Sequence, residues 1–140
     1  MSHQAKALVL HCIDFRFIPG IKNYLHKQMG LKGQYDKVAV AGAAKNLADP
    51  AKPEDQEFIL RQIDISKRLH AITDLYLINH RDCGAYGADL AADAVAETER
   101  HTSDLRAARK LVSQRFPDVT VHLLLAKLGG EHQVMFESVS

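Results

Sequence analysis

The chain reads as an α/β protein with a central, mostly parallel sheet of about four strands, an antiparallel edge strand and helices on both faces. Three observations predict this. Short apolar runs alternate with longer segments of helical period, Gly and Pro fall between them, and the last apolar run follows its predecessor across a tight Gly-Gly turn. Alternation of strand and helix implies βαβ units with right-handed crossovers. A length of 140 residues suits one domain, residues 1–140, able to bury a core of its own.

Ala7-Leu8-Val9-Leu10 is a run without polar interruption, as in a buried strand. Pro19 opens a helix, where its missing N–H costs nothing. Ile21, Tyr24, Leu25 and Met29 recur at helical spacing, and Gly30 and Gly33 close the segment. Val38-Ala39-Val40 forms a second strand ending at Gly42, and Asn46 to Pro53 a loop. Glu54 to about His70 is a helix with Phe58, Ile59 and Ile63 facing inward and Leu69 a further candidate. Leu75-Tyr76-Leu77-Ile78 is a third strand. Tyr86 to Phe116 is helical, with a break near Thr102 and Ser103, either of which can cap a second piece, and Pro117 as its stop. Val119 to Leu125 is a fourth strand, Gly129-Gly130 a turn, and Gln133 to Ser138 the returning edge strand.

Lys and Arg number 18 against 17 Asp and Glu, a balance that offers no long-range attraction for nucleic acid or anionic membranes. Arg106, Arg109 and Lys110 share a helix face and read as a solvated surface. No apolar run is long enough to span a bilayer, and polar Met1 to Lys6 lacks the apolar core of a secretory signal, so a cytoplasmic location is expected. Two cysteines exclude a disulfide framework, and in a reducing compartment they raise the question of a shared metal.

Ligands of parallel sheets bind beyond the carboxyl ends of the strands. The first strand ends in His11-Cys12-Ile13-Asp14-Phe15-Arg16, where strand alternation would point Cys12, Asp14 and Arg16 the same way. The third ends in Asn79-His80-Arg81-Asp82-Cys83-Gly84, where a tight turn can aim His80 and Cys83 at one point. If these strands are neighbours, the patterns meet. Thiolate and imidazole suit zinc, and three protein ligands leave a fourth position open for water, as in catalytic sites. Zinc brings the pKa of its water towards about 7. Asp14 can accept the proton of zinc-bound hydroxide and aim it, with Arg16 holding the carboxylate through two parallel hydrogen bonds. Released from Arg16, Asp14 would swing onto the metal as a fourth ligand.

Cys-x-Asp-x-Arg after a first strand, followed by His-x-x-Cys-Gly after a later one, resembles the β-class carbonic anhydrases. The resemblance rests on Cys12, Asp14, Arg16, His80, Cys83 and Gly84 and spans most of the chain in element order. It implies one zinc per chain on Cys12, His80 and Cys83, an Asp14–Arg16 catalytic dyad, carbon dioxide and bicarbonate as substrates, and a homodimer or dimer of dimers with the site near the interface. The chain reads as a short member lacking the N-terminal helical arm. It also carries Ala41-Gly42-Ala43-Ala44 where Arg-Asn-Ala-Gly is frequent, Phe15 where serine is common and Asn79 where glycine usually precedes the histidine. A zinc-binding protein without hydratase activity, a hydrolase of another small substrate such as carbon disulfide, and a Cys12/Cys83 dithiol redox protein are the competing readings. Asp82 could support the groups around the ligands, but in a turn it is rather expected to bond its own backbone. His11, His26, His70, His101, His122 and His132 show no ligand spacing and read as surface or packing residues. Tyr86 and Phe15 could line an apolar pocket or fill core.

Overall fold

Ala7–His11 (β1) is buried at every position, as a strand covered on both faces must be. The computed structural model describes residues 3–130 and 133–140; Met1, Ser2, Glu131 and His132 lie outside it. After β1 come a helix at Ile18–Asn23 (α1), extended by a π-helical turn at Tyr24–Gln28, and a strand at Tyr35–Ala39 (β2). Pro19 sits in the first helical turn, as its locked φ favours. A single turn at Lys45–Ala48 (α2) interrupts what reads as loop in the sequence, and Pro53–His70 (α3) follows. Asp74–His80 (β3) is again buried throughout. Ala88–Ala91 (α4), Ala94–Arg115 (α5), Thr120–Leu128 (β4) and Val134–Val139 (β5) complete the chain.

The sheet has the order β2-β1-β3-β4-β5. The first three pairings are parallel, and β4 with β5 is antiparallel. Alternation along the strands builds a core on each face. Leu8, Leu10, Leu75, Leu77 and Leu123 join Ile59, Ile63, Leu105 and Val112 from α3 and α5. Val9, Tyr76, Ile78 and Leu124 join Phe17, Ile21 and Leu25 beside α1. The expected α/β architecture is therefore present, with helices on both faces.

Three local expectations are corrected. The long helix does not break at Thr102 or Ser103. The interruption lies at Ala92–Asp93, where Asp93 caps α5 by accepting the Ala96 N–H at 3.1 Å. A capping carboxylate satisfies an N–H that a helix start leaves orphaned, whereas Thr102 and Ser103 sit inside a helix whose packed face runs past them. Phe58 and Leu69 do not face inward; they are 41% and 59% exposed. The buried face of α3 is Ile59, Leu60, Ile63 and Ser66, and a 100° step per residue turns positions 58 and 69 away from it.

Leu77 is fully buried in a central strand. Leu77→Ala is expected to lower unfolding free energy by about 2–5 kcal/mol in urea titration. Exposed Leu69→Ala should change it by no more than about 0.5 kcal/mol. Similar losses in both would contradict the core assignment.

Candidate metal centre

β1 runs to β2 on one side and has β3 on the other, so the connections diverge between β1 and β3. Crevices form at such points outside the carboxyl ends of the strands. The parallel register pairs His11 with Ile78, which brings Cys12 beside the last residues of β3. There Cys12, His80 and Cys83 converge: one ligand atom from each lies within 4.8 Å of the others. All three residues are buried, and the sulfurs are 3.9 Å apart as free thiols.

His80 lies on the face of β3 that carries Tyr76 and Ile78, and its ring packs on Phe17 with centroids 4.2 Å apart. Its Nδ1 donates to the Arg81 carbonyl at 2.7 Å, which leaves Nε2 with a free lone pair. That Nε2 is buried and has no hydrogen-bond partner. An orphaned imidazole nitrogen facing two thiols is a donor set of the soft kind that zinc prefers. The residues present fit the metal.

The thiols share their protons unequally. Contact with Cys83 pushes the Cys12 thiol down, against burial, with further help from His80 and the backbone of Gly42 and Asp14. The same contact, with burial, pushes Cys83 up. Burial would lower the pKa of His80, but the Cys12 thiolate, the Arg81 carbonyl and Asp14 outweigh it and raise it. Negative charge is thus favoured at Cys12, beside the His80 ring.

Asp14 lies next to this group, its Oδ2 3.7 Å from His80 Nε2. Arg16 grips it in parallel, Nε to Oδ1 at 3.0 Å and Nη2 to Oδ2 at 2.5 Å. The pairing does not come from extended alternation. β1 ends at His11 and the chain turns, with the Phe17 N–H on the Asp14 carbonyl at 3.1 Å and the Arg16 N–H on Asp14 Oδ1 at 3.0 Å. An Asx turn, rather than the pleat, folds Arg16 back onto Asp14. Asp82 departs from its expected bond to its own backbone. Its Oδ2 and carbonyl both accept from Arg16 at 3.0 Å, while its N–H donates to Glu97 at 2.8 Å. Asp82 adopts φ 57, a left-handed turn conformation that Asp tolerates better than most residues.

An open cavity of about 690 Å³ reaches the group, with Cys12, Asp14, Arg16 and Cys83 on its wall. Ile13 and Phe15 form its apolar side and are 60% and 81% exposed. Tyr86 is not on this wall; its hydroxyl donates to Asp104 at 2.7 Å in a buried polar cluster with Asn79 and His101. Burial and nearby His80 push His101 down to about 4, so it is neutral near pH 7. Among the remaining histidines of the described residues, His70 and His122 pair with Asp36 and Asp74, and buried His11 bonds the Cys12 carbonyl. Sequence reasoning missed Glu97 and the Asn79 cluster. A signal existed: Glu97, His101 and Asp104 recur at helical spacing on the buried face of α5, where apolar residues belong.

Residues 2–135 match the family described as "Putative carbonic anhydrase". An "Uncharacterized protein" of Rickettsia bellii (strain RML369-C) is 34% identical over 139 residues, covering 96% of this chain and 84% of that protein. The carbonic anhydrase from Streptococcus mutans has a similar structure, with a TM-score of 0.61 at 15% identity over 99% of this chain and 84% of that one. The β-carbonic anhydrase CcaA gives 0.58 at 13% identity over 99% and 85%. At such low identity these two structures speak for the fold.

Arg16, through its hydrogen bonds, holds the Asp14 carboxyl below its usual range. A lowered folded-state pKa contributes stability above the unfolded value of about 3.9 and loses it as pH falls through the folded value. Asp14→Asn should therefore flatten the acid limb of the urea midpoint plotted against pH, with no change in its slope above about pH 5. An acid limb identical to the parent's would remove the Asp14–Arg16 pair from the stability of the fold.

Proposed function

The chain belongs to the "Putative carbonic anhydrase" family, and from that premise we propose that it catalyses the reversible hydration of carbon dioxide to bicarbonate, with zinc on Cys12, His80 and Cys83. The observation carrying this reading is the unpartnered His80 Nε2 beside two free thiols, with the Arg16-held Asp14 carboxylate 3.7 Å away. Zinc, when bound, supplies Lewis acidity that brings water within reach of deprotonation near neutral pH.

The remaining work falls to the chain's own groups. Asp14, ionised and acceptor-only, takes a hydrogen bond from the attacking oxygen and so turns a lone pair towards carbon. Arg16 uses two parallel bonds to keep that carboxylate oriented, and Asp82 anchors the far end of the guanidinium at 3.0 Å. Ile13 and Phe15 offer apolar contact to an uncharged, apolar substrate. Carbon dioxide and water give bicarbonate and one proton, which passes to solvent or buffer through the open cavity. Arg16 would also hold Asp14 away from a bound metal and so leave room there for water. A second copy of the chain is the proposed partner, covering part of the cavity rim where Phe15 protrudes.

Stopped-flow hydration with a pH indicator tests this across pH 6.5–9, the range around the about 7 expected of an acidified water. Parent protein with one zinc per chain should turn over well above buffer. Cys83→Ser should lose both metal and turnover. Asp14→Asn should keep zinc and lose about 10²-fold or more in rate. Stripping zinc with a chelator should lower Tm, since metal binding is linked to folding. Zinc at one per chain with no hydration at any pH would refute the hydratase while leaving a metal-binding protein.

A further inference from the structure

Asn79 precedes His80 in β3 and lies on the opposite face of the sheet, in line with Leu75 and Leu77. It is buried, yet its carboxamide finds partners on three separate segments. Oδ1 accepts the Ala44 N–H at 3.0 Å, and Nδ2 donates to the Tyr86 hydroxyl at 3.0 Å and to His101 Nδ1 at 3.1 Å. Ala44 ends the loop after β2, Tyr86 ends the turn that follows Cys83, and His101 lies in α5. Tyr86 and Arg100 both bond Asp104, at 2.7 and 3.1 Å, which fixes the outer side of the cluster. Reversing the amide would oppose its NH2 to the Ala44 N–H, so only one orientation satisfies all the groups.

The loop held in this way packs against the turn that follows Cys83. Gly42 adopts φ +84, and a Cβ there would come within 3.1 Å of Ala85 Cβ, so its bare backbone is wedged against the Cys83 turn. Ala41, next to Gly42, lines the same cavity as Cys12 and Cys83. Loop 41–44, the end of β3 and the Gly84–Tyr86 turn therefore meet beside the two cysteines and are joined at one carboxamide.

We infer that Asn79 is a positioning residue of the metal centre, pinning loop 41–44 and the Gly84–Tyr86 turn so that the backbone flanking Cys12 and Cys83 is held in place. The inference rests on the reading of Cys12, His80 and Cys83 as zinc ligands. Backbone held rigidly beside a ligand fixes where its sulfur points without competing for the metal. Hydrogen-bond partners behind metal ligands alter affinity by about 10–100-fold. Asn79 has no lone pair at the metal and acts only through the backbone it holds.

The test is Asn79→Leu, similar in size and unable to hydrogen-bond. Folding is established by circular dichroism, and zinc affinity is measured by competition with a chromophoric chelator. The cobalt-substituted protein gives a second readout, its thiolate-to-cobalt charge-transfer absorption, which a purely structural asparagine would leave unmoved. The expected result is a zinc affinity about 10–100-fold weaker and a shifted charge-transfer band. A folded variant with parental affinity and an unshifted band overturns the inference alone. A parent that binds no zinc overturns it together with the metal-site reading. If Asn79→Leu does not fold, Tyr86→Phe removes one of the bonds that orient the amide; weaker zinc binding supports the inference and parental affinity overturns it.

Discussion

The parallel pairing of β1 with β3 is the constraint on which the rest of the site depends. Cys12 and Cys83 are separated by 71 positions in the chain, and only this pairing brings their sulfurs to 3.9 Å. The pairing is held by burial rather than by the site. Both strands are apolar on both faces, and each face is covered by its own set of helices. A one-residue slip would move Leu77 towards α1 and His80 away from it, at the cost of both cores. The geometry of the candidate metal centre is therefore a by-product of hydrophobic register.

On that frame the site separates its charges by segment. β3 supplies a nitrogen donor whose tautomer is set by the next carbonyl, at 2.7 Å from Nδ1. The segment beyond β1 supplies a thiol and, one turn later, the carboxylate–guanidinium pair. Asp82 and Glu97 hold the β3 end of that arrangement, Asp82 by gripping Arg16 and Glu97 by accepting the Asp82 N–H. Positive and negative groups are thus interleaved, and the Arg16 guanidinium favours the ionised form of Asp14 beside the Cys12 sulfur. Behind the site lies a buried polar cluster on α5. Fully paired networks of this kind rigidify a core, whereas half-paired ones destabilise it. His101 Nε2 is its one buried unpartnered atom among the described residues besides His80 Nε2 in the centre itself.

Much of this was legible in the residues alone. Apolar runs and helical periods were sufficient for the sheet and its helices, because burial on two faces leaves a pattern that no surface segment mimics. Cys12, His80 and Cys83 stood out because both cysteines fell just past strand ends, where parallel sheets place ligands. Errors arose where two signals of similar weight competed. Thr102 and Ser103 are good caps, but Asp93 caps as well and stands where the chain has to turn. Phe58 and Leu69 are apolar, but single apolar side chains on a helix surface cost little and carry no positional information.

By itself the sequence determined the order of elements and the faces of the strands, and it singled out Cys12, His80 and Cys83 as a candidate trio, since each of these follows from local period and residue chemistry. Only the tertiary structure decided what pairs with what. Arg16 meets Asp14 through a turn rather than along a strand, Asp82 faces Arg16 instead of its own backbone, and Asn79 joins three segments that are distant in the chain. Hydrogen bonds are directional and short-ranged, so their partners depend on atomic positions that period and composition do not encode.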